Sequence, residues 1–249
     1  IVNGKFYPAS GFFQTGIKKV FEIRTKKGFI LRATDNHEIL TVQYRSRKVQ
    51  RNVWKKIKDI TSGEEIVLHN HKNISWEGGG TYGEGWLLGN LIGDGNIEKG
   101  GKVNLDYWGE TQSFMMRHAI SLVKEAVSSR SDLVGHVAKT GYGRVQSSEL
   151  GRLAYSYGIV YGNKHPSVEV ERGSSAFYEG FLRGLFDADG SVQGNQKKGV
   201  SIRLSSSSLP TLQVVQRMCA RLGIISTIYM NRRGASMRFL PDGKGGAKE

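Results

Sequence analysis

A nine-residue phrase occurs twice in this chain, and that repeat constrains the fold more than any other feature. The first copy reads Leu87-Leu88-Gly89-Asn90-Leu91-Ile92-Gly93-Asp94-Gly95, the second Leu182-Arg183-Gly184-Leu185-Phe186-Asp187-Ala188-Asp189-Gly190. Each is followed by a strand-like run, over 103–110 and 200–206, and then by a helix-like run beginning near Thr111 or Leu209. The acids Asp94 and Asp189 lie 95 residues apart, so the pattern predicts one αββαββα-like unit duplicated into two pseudo-equivalent halves. Apolar residues spaced by three and four predict helices over 86–92, 113–127, 147–157, 177–186 and 209–222. Only 72 residues run from Tyr178 to the end, fewer than one period, so the second half is expected to be truncated and C-terminal sequence to be missing.

Gly89 and Gly93 share one helix face at i and i+4, as do Gly184 and Ala188, and small residues there let two helix backbones approach closely. Each helix closes on Asp-Gly, with Gly95 or Gly190 expected in the left-handed position just past the helix end. That leaves Asp94 and Asp189 at the negative ends of two helix dipoles, where their carboxylates repel. A hard divalent cation held by oxygen ligands relieves such repulsion. Paired metal-bound carboxylates under a basic surface suit phosphodiester hydrolysis.

Lys and Arg number 36 against 22 Asp and Glu, a formal charge of +14, which points to a polyanionic partner, nucleic acid first. No stretch reaches the roughly 18 uncharged apolar residues of a membrane span. Cys219 is the only cysteine, which excludes an intramolecular disulfide framework and a Cys/His zinc cluster and favours a reducing, intracellular, cytoplasmic setting. The start at Ile1 reads as that of an excised piece. Ahead of the repeat, β-branched and aromatic runs over 19–25, 28–33 and 38–44, punctuated by Lys27-Gly28 and Asp35-Asn36, predict an all-β segment. Glycines at 78, 79, 80, 83 and 85 read as a linker. The expected organisation is therefore an all-β domain over 1–77, a linker over 78–85, and a duplicated α+β domain over 86–249 with halves of about 86–176 and 177–249.

The paired phrases resemble the LAGLIDADG homing endonucleases over about residues 86–240. The resemblance implies a pseudo-two-fold α+β domain, with the two helices at the interface of the halves and catalytic acids at the eighth position of each, here Asp94 and Asp189. Asp187, at the sixth position, has Ile92 as its counterpart in the first copy, so it cannot belong to a symmetric pair and reads as structural. The same resemblance implies that both acids hold Mg2+ and that a basic residue lies in the block closing the first half. Asn163-Lys164-His165-Pro166 falls there, making Lys164 the third catalytic candidate, to polarise the scissile phosphate or organise the attacking water; His165 reads as its neighbour. Two motifs in one chain imply a monomer that cuts both strands of its target.

The run from Gly16 through Val42 resembles the N-terminal splicing half of inteins, the Hint fold, whose Thr-x-x-His polarises the upstream scissile peptide bond; Thr34 and His37 match it. Ile1 is no splicing nucleophile and Glu249 no terminal Asn, so this chain is expected not to splice. Val2-Asn3-Gly4-Lys5-Phe6-Tyr7-Pro8 and Gly16-Ile17-Lys18 resemble inteins inserted in ribonucleotide reductase. Together these imply a metal-dependent homing endonuclease within an intein, its partners being the host exteins and double-stranded DNA at the intein-free insertion site. The alternatives are a catalytically degenerate DNA-binding insert whose intact parent only splices, and, disfavoured by the splicing-like segment, a maturase-like RNA binder.

Seven of the fourteen residues over 45–58 are basic, among them the expected DNA contacts Arg45, Arg47, Lys48, Arg51, Lys55 and Lys56. Strand alternation puts Lys102, Asn104, Asp106 and Trp108 on one face, and Ser201, Arg203 and Ser205 on another, where saddle-like sheets read the major groove. Lys102, Arg144, Arg203, Arg232 and Arg233 complete the expected DNA contacts.

Overall fold

A computed structural model of the chain describes residues 8, 11, 13–127, 134–137, 141–195, 197, 199–231, 240–241 and 247–248. At its centre, helix α1 (Tyr82–Asp94) lies against helix α4 (Ser175–Asp189). Thr81 starts α1 with a reciprocal capping box: its hydroxyl accepts from the Glu84 amide at 3.3 Å, and its own amide donates to the Glu84 carboxylate at 2.6 Å. Ser174 caps α4 with its hydroxyl alone, accepting from the Phe177 amide at 3.0 Å. Residues 85–92 of α1 are buried all round, as a helix in the middle of a domain must be.

The small residues allow that packing, and they reveal its symmetry. A Cβ on Gly89 would lie 2.9 Å from the Leu185 amide nitrogen, and one on Gly184 would lie 2.9 Å from the Asn90 amide nitrogen. Since 184 and 185 are 89 and 90 displaced by the repeat length, each half meets the other through the same contact. Gly85 against Phe181 and Gly180 against Trp86 repeat it one turn earlier, at 2.9 and 3.0 Å. The helices therefore run parallel about a pseudo-two-fold axis, backbone against backbone, and Gly93 faces Ala188 at the end carrying the two acids.

Each half then follows the predicted order. In the first, β5 (Gly95–Ile97), β6 (Val103–Tyr107), β7 (Val134–Val137) and β8 (Gly143–Ser147) make an antiparallel sheet ordered β5-β6-β8-β7. Its inner face, with Ile97, Val103, Leu105 and Val145, is buried in the core with α1, α2 (Gln112–Ala126) and α3 (Ser148–Ser156). In the second half β9 (Gly190–Asn195) and β10 (Gly199–Leu204) form a hairpin, followed by α5 (Leu209–Arg221). Val192 and Ile202, which correspond to the buried Ile97 and Val103, are 73% and 71% exposed, so the second sheet is the less covered one among the described residues.

Among the described residues the N-terminal segment carries four strands and a short 3-10 turn (Ile57–Asp59), and the strands form two separate antiparallel hairpins instead of one sheet: β1 (Val20–Arg24) with β2 (Ile30–Thr34), and β3 (Glu38–Arg45) with β4 (Gln50–Lys56). The basic run at 45–58 is thus half strand and turn. Backbone bonds from Val42 to Glu65 and from Val67 to Leu40 lay the 65–67 segment along β3. The tip of the first hairpin docks on the second half, where Gln216 and the Ile228 amide both donate to the Lys27 carbonyl, at 2.8 and 3.0 Å.

The stretch read as a glycine linker differs from expectation. Residues 82–85 belong to α1, and 76–80 are fastened to the start of α4: Ser174 donates its amide to Gly79 O and its hydroxyl to Gly80 O, both at 2.9 Å. Gly80 has φ +80°, and a Cβ there would run into Phe177 and Tyr157. These glycines serve close approach rather than flexibility.

Candidate active site

Both nonapeptide helices end on their acid and turn directly into a strand. Gly95 (φ −82°, ψ 168°) and Gly190 (φ −78°, ψ 158°) are extended, which corrects the expected left-handed cap. Glycine is needed for another reason: a Cβ on Gly95 would stand 2.8 Å from the Leu91 carbonyl oxygen, and one on Gly190 would crowd the Phe186 backbone. This tight exit leaves Asp94 and Asp189 side by side at the same end of the helix pair, both open to solvent. The Asp189 carboxylate overlies Gly93, with its Oδ2 3.5 Å from where a Cβ on that glycine would be.

Lys164 completes the cluster. Its ammonium donates to Gly93 O at 3.0 Å and to Gly95 O at 2.7 Å, so a cation satisfies carbonyls at the negative end of α1. The electrostatics are mutual. Partial desolvation of its carboxyl, then the neighbouring Asp189, push Asp94 above the ordinary carboxylate range, against the pull of Lys164. Burial lowers the Lys164 ammonium while both aspartates hold it up. The three predicted catalytic candidates are thus brought together by structure.

Asp187 is engaged elsewhere: it accepts from the Trp86 indole at 3.2 Å and from Arg183 Nε at 2.8 Å, which fits the structural role expected for it. Among the described residues no group of three or more His, Cys, Asp or Glu gathers anywhere. The donor set at the helix ends is therefore two carboxylates, all oxygen, which fits Mg2+, an ion that takes one or two carboxylates and keeps several waters. A cleft of about 200 Å³ opens beside Asp189 and Lys164, walled by His165 and by Ser205–Ser208 before α5. His165 was read only as a neighbour, yet its Nδ1 is within hydrogen-bond distance of Thr211 Oγ1, at 3.2 Å, at the start of α5.

Residues 176–241 match the LAGLIDADG-like domain. That region takes in α4 from its second residue onward, with Asp189, and then β9, β10 and α5. The chain is 25% identical over 253 residues to the alpha subunit of the ribonucleoside-diphosphate reductase NrdEB of Bacillus subtilis (strain 168), covering 92% of this chain and 22% of that protein. It is 24% identical over 263 residues to a DNA gyrase subunit of Mycobacterium kansasii, covering 99% of this chain and 48% of that one. The chain thus spans about a fifth to a half of the length of these relatives. Among solved structures, mesophilic variants of the homing endonuclease I-DmoI align over 67% of this chain and 86% of theirs, with 19% identity and a TM-score of 0.41.

The remaining predicted residues lie apart from the acids. Thr34 and His37 flank the β2–β3 turn, where Thr34 Oγ1 donates to Asn36 Oδ1 at 2.9 Å and the His37 amide to Thr34 O at 3.0 Å. Arg45 pairs with Glu65 at 2.7 Å; Lys55 pairs with Glu64 at 2.8 Å, and that bond, together with those from Thr61, holds the Glu64 pKa down to about 2. Arg47, Lys48, Arg51 and Lys56 are exposed on that hairpin without an ion pair among the described residues, and Lys102 precedes β6 on the first-half sheet. Arg203 donates to Gln193 and Ser201 on the β9–β10 hairpin. Arg232 and Arg233 lie outside the described residues. Sequence reading missed a chain of side-chain bonds on the outer face of the first sheet, in which Gln146 donates to Asn104 at 2.7 Å and Asn104 to Glu98 at 2.9 Å. Alternation signalled the face, but not the partners across it.

Proposed function

We propose that this chain is a DNA endonuclease of the LAGLIDADG type, carried within an intein, that makes a divalent-metal-dependent double-strand break at the intein-free insertion site. The observation that carries the reading is the pair Asp94 and Asp189 at matching ends of two parallel, backbone-packed helices, with Lys164 bonded to the first helix end. Asp94 and Asp189 would hold the metal, Mg2+, which when bound would neutralise their repulsion and supply water activation and charge stabilisation at the phosphate. The helix interface sets the separation of the two carboxylates. Lys164 keeps a positive charge beside them, where it attracts the scissile phosphate and orients an attacking water.

An intein setting is supported by the relatives: a reductase and a gyrase, proteins of different name, each share nearly the whole of this chain but no more than 48% of their own length. A segment common to unrelated hosts behaves as an insert. The β-rich 1–77 region is then the N-terminal part of a Hint-type splicing domain, with Thr34 and His37 at its upstream junction and a ribonucleotide reductase as the host. The protein acts as a monomer in the cytoplasm, with the host exteins attached in the parent chain.

The test is incubation of the full chain with a duplex spanning the intein-free reductase site, with Mg2+ or with EDTA, beside Asp94→Asn and Asp189→Asn. Mg2+-dependent cleavage lost in both variants is the expected result. A folded parent that binds the duplex and leaves it intact refutes endonuclease activity and leaves the degenerate insert.

A further inference from the structure

The outer face of the β5-β6-β8-β7 sheet is not a phosphate-attracting surface. Facing away from buried Leu105 and Val145, it carries Asn104, Asp106, Arg144 and Gln146, with Lys102 and Glu98 at one edge. Among the described side chains of that face two carboxylates offset two cations, whereas Arg47, Lys48, Arg51 and Lys56 on the N-terminal hairpin stand without acidic partners among the described residues. A face with no net charge adds little to bulk attraction for DNA; it can add discrimination.

Within that face Arg144 is held from two sides. Asp106, its direct cross-strand partner, accepts from Nε at 2.6 Å and from Nη2 at 2.7 Å. Tyr142 lies against the guanidinium with 5.2 Å to the ring centroid, and Trp108, 62% exposed, stacks on Tyr142 with 4.5 Å between centroids. The guanidinium has five N–H donors. Asp106 takes the two along its side edge, which, among the described residues, leaves the parallel pair on Nη1 and Nη2 at its end. That pair matches two acceptors side by side on a flat edge, and guanine alone among the bases presents such a pair, O6 and N7, in the major groove. The rotamer freedom of a long side chain, normally lost on binding, is already removed.

We propose that Arg144 reads a guanine in the DNA target through the free end of its guanidinium, with Asp106 and Tyr142 as positioning residues. The inference rests on the DNA-cutting function proposed above and names one feature of its substrate. A phosphate would also accept from the fork, but Asp106 and Glu98 on the same face repel it.

The experiment is selection of bound duplexes from a random-sequence library by the full chain in EDTA, repeated with Arg144→Gln and Asp106→Asn, each checked for folding by circular dichroism. The parent selects guanine at one position by roughly tenfold or more over each other base. Arg144→Gln loses that preference and moves it toward adenine at the same position alone, because a glutamine amide matches adenine N6 and N7. Asp106→Asn, which keeps the arginine but frees it, weakens the guanine preference without abolishing binding. Equal weakening of all sequences by Arg144→Gln, with a salt dependence reduced by about one ion, marks a phosphate contact and overturns the assignment. An unchanged consensus overturns it too while leaving the endonuclease standing; a parent that enriches no sequence and cuts no DNA overturns both.

Discussion

Replacing Gly89 by alanine sets two physical effects of opposite sign against each other. Gly89 lies within α1, where alanine is favoured by about 1 kcal/mol on helix propensity. Its Cβ, however, would sit 2.9 Å from the Leu185 amide nitrogen and still closer to the Phe181 carbonyl oxygen, against an ordinary contact of about 3.4 Å or more. Both obstacles are backbone, so no side chain can swing aside, and α1 and α4 must separate by at least about half an ångström. Overpacking of this kind costs about 1–3 kcal/mol, and more where the frame is rigid. A gap of 0.5–1 Å also forfeits about a quarter to a half of each dispersion contact along the interface. The net expectation is a loss of about 2 kcal/mol, or a Tm lower by about 4–8 °C in a chain of this size. Gly184→Ala meets the Asn90 amide at the same 2.9 Å and should cost the same, while the double variant should cost less than the sum, since one separation accommodates both methyls. Gly83→Ala is the control: its Cβ meets only side chains, Ala126 Cβ at 3.2 Å first, and it should be nearly neutral. Thermal unfolding followed by circular dichroism reads all four. Stabilisation by Gly89→Ala, or an equal loss in Gly83→Ala, would refute backbone contact as the reason for these glycines.

Asp94 has a folded proton affinity raised by partial desolvation and by Asp189, so its contribution to stability is full below the unfolded carboxylate range and is lost as pH rises through the folded value. In EDTA at neutral pH, Asp94→Asn should therefore raise Tm, the gain shrinking on acidification; a lowered Tm sinks the repulsion argument. Mg2+ at ten times its Kd should add about 1.4 kcal/mol to the parent and nothing to Asp94→Asn or Asp189→Asn. Cys219 is buried, and burial lifts its thiol to about 11, so Ellman's reagent at pH 8 should label it only on unfolding. Thr81→Ala removes one arm of the α1 capping box and should cost about 1 kcal/mol in urea unfolding, with Thr81→Ser restoring most of it.

What was legible in the sequence was whatever repeats or alternates. The helices came from apolar spacing, the paired acids from two copies in phase, and Lys164 from its place in the block between them; their gathering needed no more than two helices packing through small residues. What was hidden depended on a partner distant in sequence. Gly95 looked like a left-handed cap because Asp-Gly after a helix usually is one, but here the chain enters a strand at once, and the glycine spares a clash with the turn behind it. Gly78–Gly80 looked like a linker because glycine serves both freedom and close contact, and local composition does not separate the two. The residues that decide between them, Ser174 and Phe177, lie more than ninety positions away. The same holds for Arg144: its charge marked it as a DNA contact, and only the cross-strand register to Asp106 converts a mobile cation into a fork with one open end. Glycines and arginines are ambiguous in a single sequence for the same reason, since each has two physical uses, and which one operates is set by what the fold places opposite.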